Sequence, residues 1–301
     1  MAFGKGCHLH LIDGSAFIFR AYHALPPLTR KSDGLPIGAV SGFCNMLQRY
    51  VEGNAGGDVT HLAVIFDKGS HTFRNDMYDL YKANREEMPE DLRPQIPLTR
   101  RATEAFNIAC KELEGYEADD IIATLSVQAR EAGGQATIIS SDKDLMQLVG
   151  DGVEMLDAMK NKRIDREGVF EKFGVYPDRV VDVQALAGDS VDNVPGAPGI
   201  GIKTAALLIN EFGSLEELLD RAEEIKQPKR RETLIEKRDQ IELSKKLVQL
   251  DCETPLDFTL DDLEVKDPDP DTLLGFLKEM EFRTLTKRIS DALGVEAPVI
   301  P

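Results

Sequence analysis

Two short stretches hold most of the residues able to do chemistry: 115–121, with Glu117, Asp119 and Asp120, and 140–145, with Asp142 and Asp144. Both read as strand-to-helix turns, and Lys143 is the nearby cation among these carboxylates. At an effective dielectric of ~20, two carboxylates ~4 Å apart repel by roughly 4 kcal/mol. A packed group of them therefore either stays partly protonated or holds divalent cations, and the pattern points to a metal site. Other acids end other apolar runs: Asp13 after 7–12, Asp67 after 62–66, and Asp189 with Asp192 within 187–195. Singly, each suits a helix N-cap or a first helical turn. Capping does not account for Glu117, Asp119 and Asp120 together, nor for the later acid-x-acid and acid-x-x-acid repeats.

The elements that must position these acids alternate. Strands are expected at 7–12, 62–66, 136–140 and 153–157, with a short or irregular one at 114–116. Helices are expected at about 38–51, 98–111 and 118–132, with one after Asp13 and a short one at 142–148. Such alternation argues for a mostly parallel sheet flanked by helices. In that architecture the carboxyl ends of the strands share one edge, where ligands bind, so the acids converge there. From about residue 165 the pattern is helical, with a final helix at 273–280 and a tail at 291–301.

Residues 68–97 differ from the rest, interleaving polar and basic residues with aromatics before exiting through Pro89, Pro94 and Pro97. Tyr78, Lys82 and Arg85 fall at helical spacing, with Arg74 one turn earlier and Tyr81 alongside. The group offers cations for phosphates and rings for stacking on bases; an amphipathic helix packing its tyrosines fits the same pattern. A second candidate contact is the Gly/Pro turn at 194–204. There Gly199 and Gly201 precede Lys203 and a helix, whose free amides suit a phosphate.

The chain has 301 residues, 42% of them hydrophobic, and a net charge of −17. It is long enough for one large domain or two. No apolar run is long enough to span a membrane and no signal-peptide pattern opens the chain, so a soluble, cytoplasmic protein is expected. The scattered Cys7, Cys44, Cys110 and Cys252 form no CxxC pair and indicate neither zinc nor disulfides. The negative charge argues against a polyanionic partner. However, 68–101 and 199–247 are nearly balanced, which leaves room for phosphate contacts there.

Taken in order, Asp13-Gly-Ser, Phe66-Asp67, Phe73-Arg74, Tyr81-Lys82 with Arg85, Glu117-Ala-Asp119-Asp120, Asp142-Lys-Asp144 and Gly188-Asp-Ser-Val-Asp192 closely resemble the 5′-nuclease (5′→3′ exonuclease) domains of bacterial DNA polymerase I, relatives of flap endonucleases. The resemblance runs from about residue 7 to 288. It implies a PIN-like α/β core at 1–175, with a helical arch at about 70–97. A helix-hairpin-helix-type DNA-binding region follows at 176–290.

It further implies two Mg²⁺ or Mn²⁺ ions. Asp13, Asp67, Glu117, Asp119, Asp120 and Asp142 would serve the first, and Asp142, Asp144, Asp189 and Asp192 the second. Lys82 and Arg85 would act as catalytic cations under the arch, with Tyr81 against a base. Arg74 and Tyr78 join the candidate DNA contacts. The Gly199–Lys203 turn would hold the duplex backbone, in this family often with a monovalent cation on its carbonyls. The implied partners are DNA with a 5′ flap, a nick or an RNA primer, and a polymerase domain C-terminal to this one. No acid of the family pattern is missing, which disfavours a non-catalytic paralogue. A single-strand ribonuclease of the PIN type is disfavoured by the glycine turn and the extra Asp189/Asp192 pair.

Overall fold

The computed structural model describes residues 2–54 and 57–301. One sheet contains β1 (His8–Asp13), β2 (His61–Ile65), β3 (Ala109–Lys111), β4 (Gln135–Ile139), β5 (Val153–Asp157) and β6 (Lys162–Ile164). Its order is β3-β2-β1-β4-β5-β6, parallel throughout except for β6. The chain winds outward from β1 to β3, then returns to the other side of β1 with β4. The crevice at the carboxyl ends of β1 and β4 is thus the topological switch point, the ligand position of an open α/β sheet.

Five helices accompany the sheet: α1 (Gly14–Ala24), α2 (Gly38–Gly53), α3 (Phe73–Met77), α4 (Gln95–Ala105) and α5 (Ala118–Glu131). After β6 come α6 (Arg166–Phe173), α7 (Val180–Ala187), α8 (Ile202–Phe212), α9 (Leu215–Asp220), α10 (Pro228–Glu236), α11 (Arg238–Val248), α12 (Pro270–Glu279) and α13 (Arg283–Leu293).

Strand periodicity divides the core. Alternate residues point to opposite faces, so Leu9 and Leu11 of β1 pack with Ile138 of β4 against Ile121, Ile122 and Leu125 of α5. That cluster continues without a break into Val183 and Leu186 of α7 and Leu208 of α8, which ties the helical region to the sheet. On the other face Ile12, Val64 and Ile139 meet Phe43 and Leu47 of α2 and Ala102 of α4. Leu273, Leu277, Leu285 and Ile289 of α12 and α13 join this second cluster, so the last two helices return to the sheet side of the molecule.

Four local expectations are corrected. The third strand is Ala109–Lys111 and not 114–116, because α4 stops at Ala105 and Asn107 turns the chain at φ 57°, a conformation asparagine tolerates. Gly115 instead makes an isolated parallel bridge to Thr72. Residues 273–280 do not form the final helix: the chain turns at Glu281, at φ 62°, and α13 follows. An antiparallel β6, with no counterpart among the expected strands, closes the β5 edge. Finally, Tyr78, Lys82 and Arg85 do not share a helix. After α3 the chain runs to residue 94 in turns at 79–84 and 90–94 joined by irregular backbone, with Lys82 itself at φ 57°.

Candidate active site

Asp13 is the last residue of β1 and caps α1, its Oδ1 accepting from the Ala16 amide at 3.2 Å. Its Oδ2 accepts from Ser140 Oγ, at the end of β4, at 2.9 Å. Asp142 caps the 3-10 turn that follows β4, accepting from the Asp144 amide at 2.9 Å. Asp119 sits in the first turn of α5. The three bring one carboxylate oxygen each to within 4.8 Å of one another. Asp144, Asp189 and Asp192 form a second group meeting the same limit.

The loop carrying the last two acids is held by a bridge between Asp189 and Val194, with amide bonds of 2.9 and 2.8 Å in the two directions. Gly196 closes that loop at φ 61°, and a Cβ there would lie 2.4 Å from the Gly188 amide nitrogen. From α11, Ser244 Oγ accepts from the Gly196 amide and Gln240 donates to its carbonyl.

The electrostatics match the crowding. Burial, with the charge of Asp142, pushes the Asp13 carboxyl up to about 7 against the pull of its Ser140 and Ala16 hydrogen bonds. Burial and the charges of Asp142 and Asp192 likewise carry Asp144 to about 7. Asp119 is raised well above the carboxylate range by burial and by Asp142 and Asp13, and Asp142 is raised chiefly by burial. Such a set is relieved by cations. Its all-oxygen donors in two compact groups fit hard divalent ions such as Mg²⁺ or Mn²⁺.

The other expected site residues fall in different places. Asp67 lies exposed at the rim, accepting from the Ala118 amide at 2.7 Å and from Ser15 Oγ at 2.8 Å, and belongs to neither group of three. Glu117 lines a small cleft with Asp119, Asp144, Asp189 and Asp192. It accepts from Lys82, from Arg74 at 2.6 Å and from the Tyr81 hydroxyl at 3.0 Å. Burial alone would raise its pKa, but Lys82 and Arg74 outweigh it and hold Glu117 below its usual value.

Asp120 is 0% exposed, as is Arg74. Asp120 receives both Nη atoms of Arg74, at 2.7 and 2.8 Å, together with the amides of Glu117 and Asp251. The structure therefore corrects two expectations. Asp120 is occupied as the counter-ion of a buried guanidinium, and Arg74 is an internal ion-pair partner, not a surface contact for DNA. Tyr81 is also not an exposed stacking ring: it is 6% exposed and packs with Val194 and Leu247, with Tyr78 partly buried beside it.

Lys82 and Arg85 do reach the acids. The Lys82 amide donates to the Asp192 carbonyl at 2.8 Å, and Arg85 pairs with the Asp192 carboxylate at 2.6 Å. Asn84 donates to the Ser190 carbonyl and Asn193 to that of Leu80, so segment 78–94 is laced to the acidic loop. Further along the chain Gly199, at φ 80°, and Gly201 are exposed with no atom within 4 Å of where a Cβ would be, and Lys203 is exposed at the start of α8.

Sequence reasoning missed Ser140 and Gln184, which support Asp13 and Asp144. Gln184 donates to Asp144 at 2.7 Å from α7, forty positions downstream, and no local pattern marks it.

A family described as the 5′-3′ exonuclease N-terminal resolvase-like domain matches residues 8–174, and the 5′-3′ exonuclease C-terminal SAM fold matches 175–271. The 5′-3′ exonuclease of Aquifex aeolicus (strain VF5) is 38% identical over 281 residues, covering 93% of this chain and 94% of the relative. This chain belongs to the 5′-3′ exonuclease family. DNA polymerase I of Rhizobium leguminosarum is 58% identical over 300 residues, covering 98% of this chain and 30% of the polymerase, so the chain spans about a third of that relative's length. Its fold is that of the T5 D15 protein co-crystallised with metal ions, at TM-score 0.69 and 21% identity, covering 91% of this chain and 98% of that one. Among the described residues no helix is long and apolar enough to cross a membrane.

Proposed function

We propose that this 5′-3′ exonuclease-family chain is a structure-specific, metal-dependent 5′-nuclease. It would hydrolyse phosphodiesters at 5′ flaps, nicks and single-/double-strand junctions of DNA, as in the removal of primers and flaps during cytoplasmic replication and repair. The polymerase relatives, of which the chain spans a minority, support a polymerase domain as its covalent partner. The observation that carries the reading is the pair of carboxylate triads, with Arg85 paired to Asp192 of the second and Lys82 paired to the adjoining Glu117.

In this reading Asp13, Asp119 and Asp142 hold one divalent ion and Asp144, Asp189 and Asp192 the other. Asp67 and Glu117 complete the rim, and Asp120 acts through Arg74. The bound ions supply Lewis acidity and charge neutralisation at the phosphodiester. Lys82 and Arg85 exchange their present carboxylate partners for the scissile phosphate, adding positive charge as negative charge builds there. The amides at the start of α8 and Lys203 hold the duplex backbone, with a monovalent cation on the carbonyls of the Gly199–Lys203 turn.

The test is cleavage of a 5′-labelled flap duplex beside the same strand unpaired, with Mg²⁺ or with EDTA, using Asp142→Asn as control. Metal-dependent cutting near the junction, lost in Asp142→Asn while flap binding persists, is the expected result. Intact flap binding without cutting would leave only a non-catalytic junction binder.

A further inference from the structure

The two triads differ in what already neutralises them. Among the described residues no cation lies within ion-pair distance of Asp13, Asp119 or Asp142, whereas the second triad holds two. Arg85 pairs with Asp192 at 2.6 Å, and Lys143 Nζ lies 3.1 Å from Asp189 Oδ2. Both oxygens of Asp189 already have a partner, because its Oδ1 accepts from the Val191 amide at 2.9 Å. A divalent ion bound through Oδ2 must displace Lys143 or share that oxygen with it, and one bound through Oδ1 still meets the Lys143 charge across the same carboxylate.

Arg85 reaches Asp192 with a half-exposed side chain that can turn to solvent or to a phosphate while segment 78–94 stays in place. Lys143 is held closer in. It sits between Asp142 and Asp144 in the 3-10 turn that supplies one ligand to each triad.

From this we infer that Lys143 is a determinant of metal affinity, a resident counter-ion that weakens the second triad's hold on a divalent ion relative to the first. The inference rests on the metal-dependent reading above. The charge steadies the second triad when no ion is bound and competes when one arrives. Because the Lys143 side chain is 37% exposed, solvent screens part of the competition, and its removal should tighten the second step by about tenfold, ~1.4 kcal/mol.

The experiment adds Mn²⁺ to the metal-free 301-residue chain at fixed pH, counting free ion by its EPR signal. It compares wild type, Lys143→Met, which keeps the apolar stem, and Lys143→Arg, which keeps the charge. Wild type should take up two ions of unequal affinity. Lys143→Met should tighten the weaker step by about tenfold and the stronger step by less, since the charge of Lys143 also reaches Asp142, and its melting midpoint in EDTA should fall below wild type. Lys143→Arg should follow wild type in both. A weaker step unchanged or loosened in Lys143→Met, with normal two-ion uptake by wild type, overturns the role of Lys143 alone. Absence of Mn²⁺ uptake by wild type overturns the metal reading with it.

Discussion

Replacing Arg74 by Met removes one charge from the molecule's most enclosed ion pair. Both partners are 0% exposed, and the guanidinium spends its donors on Asp120, on Glu117 and on the carbonyls of Leu247 and Gln249 at 2.8 and 2.9 Å. Methionine fills much of the volume but leaves the Asp120 carboxylate facing two amides with no counter-charge. Breaking a buried pair from one side costs about 3–5 kcal/mol, because the remaining charge cannot be solvated. The orphaned carbonyls at the end of α11 each add roughly 1–3 kcal/mol where water does not reach them. Removing the charge of Asp120 as well, in Arg74→Met with Asp120→Asn, leaves a neutral amide, so the double variant should be more stable than the sum of the single losses by about 1–3 kcal/mol. Urea denaturation in EDTA, followed by circular dichroism with m-values compared, keeps metal linkage out of the measurement. A loss below about 1 kcal/mol for Arg74→Met, or strict additivity in the cycle, would refute the assignment of Arg74 and Asp120 as an internal pair.

Other expectations follow from the same geometry. The carboxyls of Asp13 and Asp144 sit near 7 in the folded, metal-free protein against an ordinary value of 3.8. The folded state thus binds more protons between those limits, and these two groups should make stability in EDTA fall as pH rises from about 4 to about 7. Melting midpoints across that range, compared with Asp13→Asn and Asp144→Asn, check the sign; a slope unaltered in both variants counts against it. By the same linkage, Mg²⁺ added at pH 6 should release more protons than at pH 8.5, readable in a weakly buffered solution. Gly196→Ala puts a Cβ 2.4 Å from the Gly188 nitrogen at φ 61°, so it should loosen the loop carrying Asp189 and Asp192 and weaken Mn²⁺ uptake without removing a ligand; unchanged uptake would show that the loop relaxes freely. Lys82→Ala should slow single-turnover flap cleavage by about 10²–10³-fold with little change in melting midpoint, and a wild-type rate would remove Lys82 from the chemistry.

The acids were legible because their cause is local. A carboxylate at the end of a buried strand, repeated across several strand ends, needs no tertiary knowledge to be placed at the carboxyl edge of a parallel sheet. Asp13, Asp142 and Asp144 lie where that rule puts them, and their crowding follows from the sheet order. The rule failed where side chains answer to distant partners. Helical spacing suggested that Tyr78, Lys82 and Arg85 share one face, but turns fixed by contacts to Ser190, Asp192 and Asn193 replace the helix.

By itself the sequence determined the α/β alternation, the carboxylates and the edge on which they gather, since these depend on strand periodicity and on chain order. Only the tertiary structure decided how the charges are shared out. Arg74 and Asp120 are 46 positions apart, yet neutralise each other in the interior. Lys82 reaches Glu117, and Lys143 takes Asp189 while leaving the neighbouring Asp142 and Asp144 unpaired with it. A charge's partner is set by which groups folding brings within a few ångströms at low dielectric, and no spacing along the chain encodes that distance.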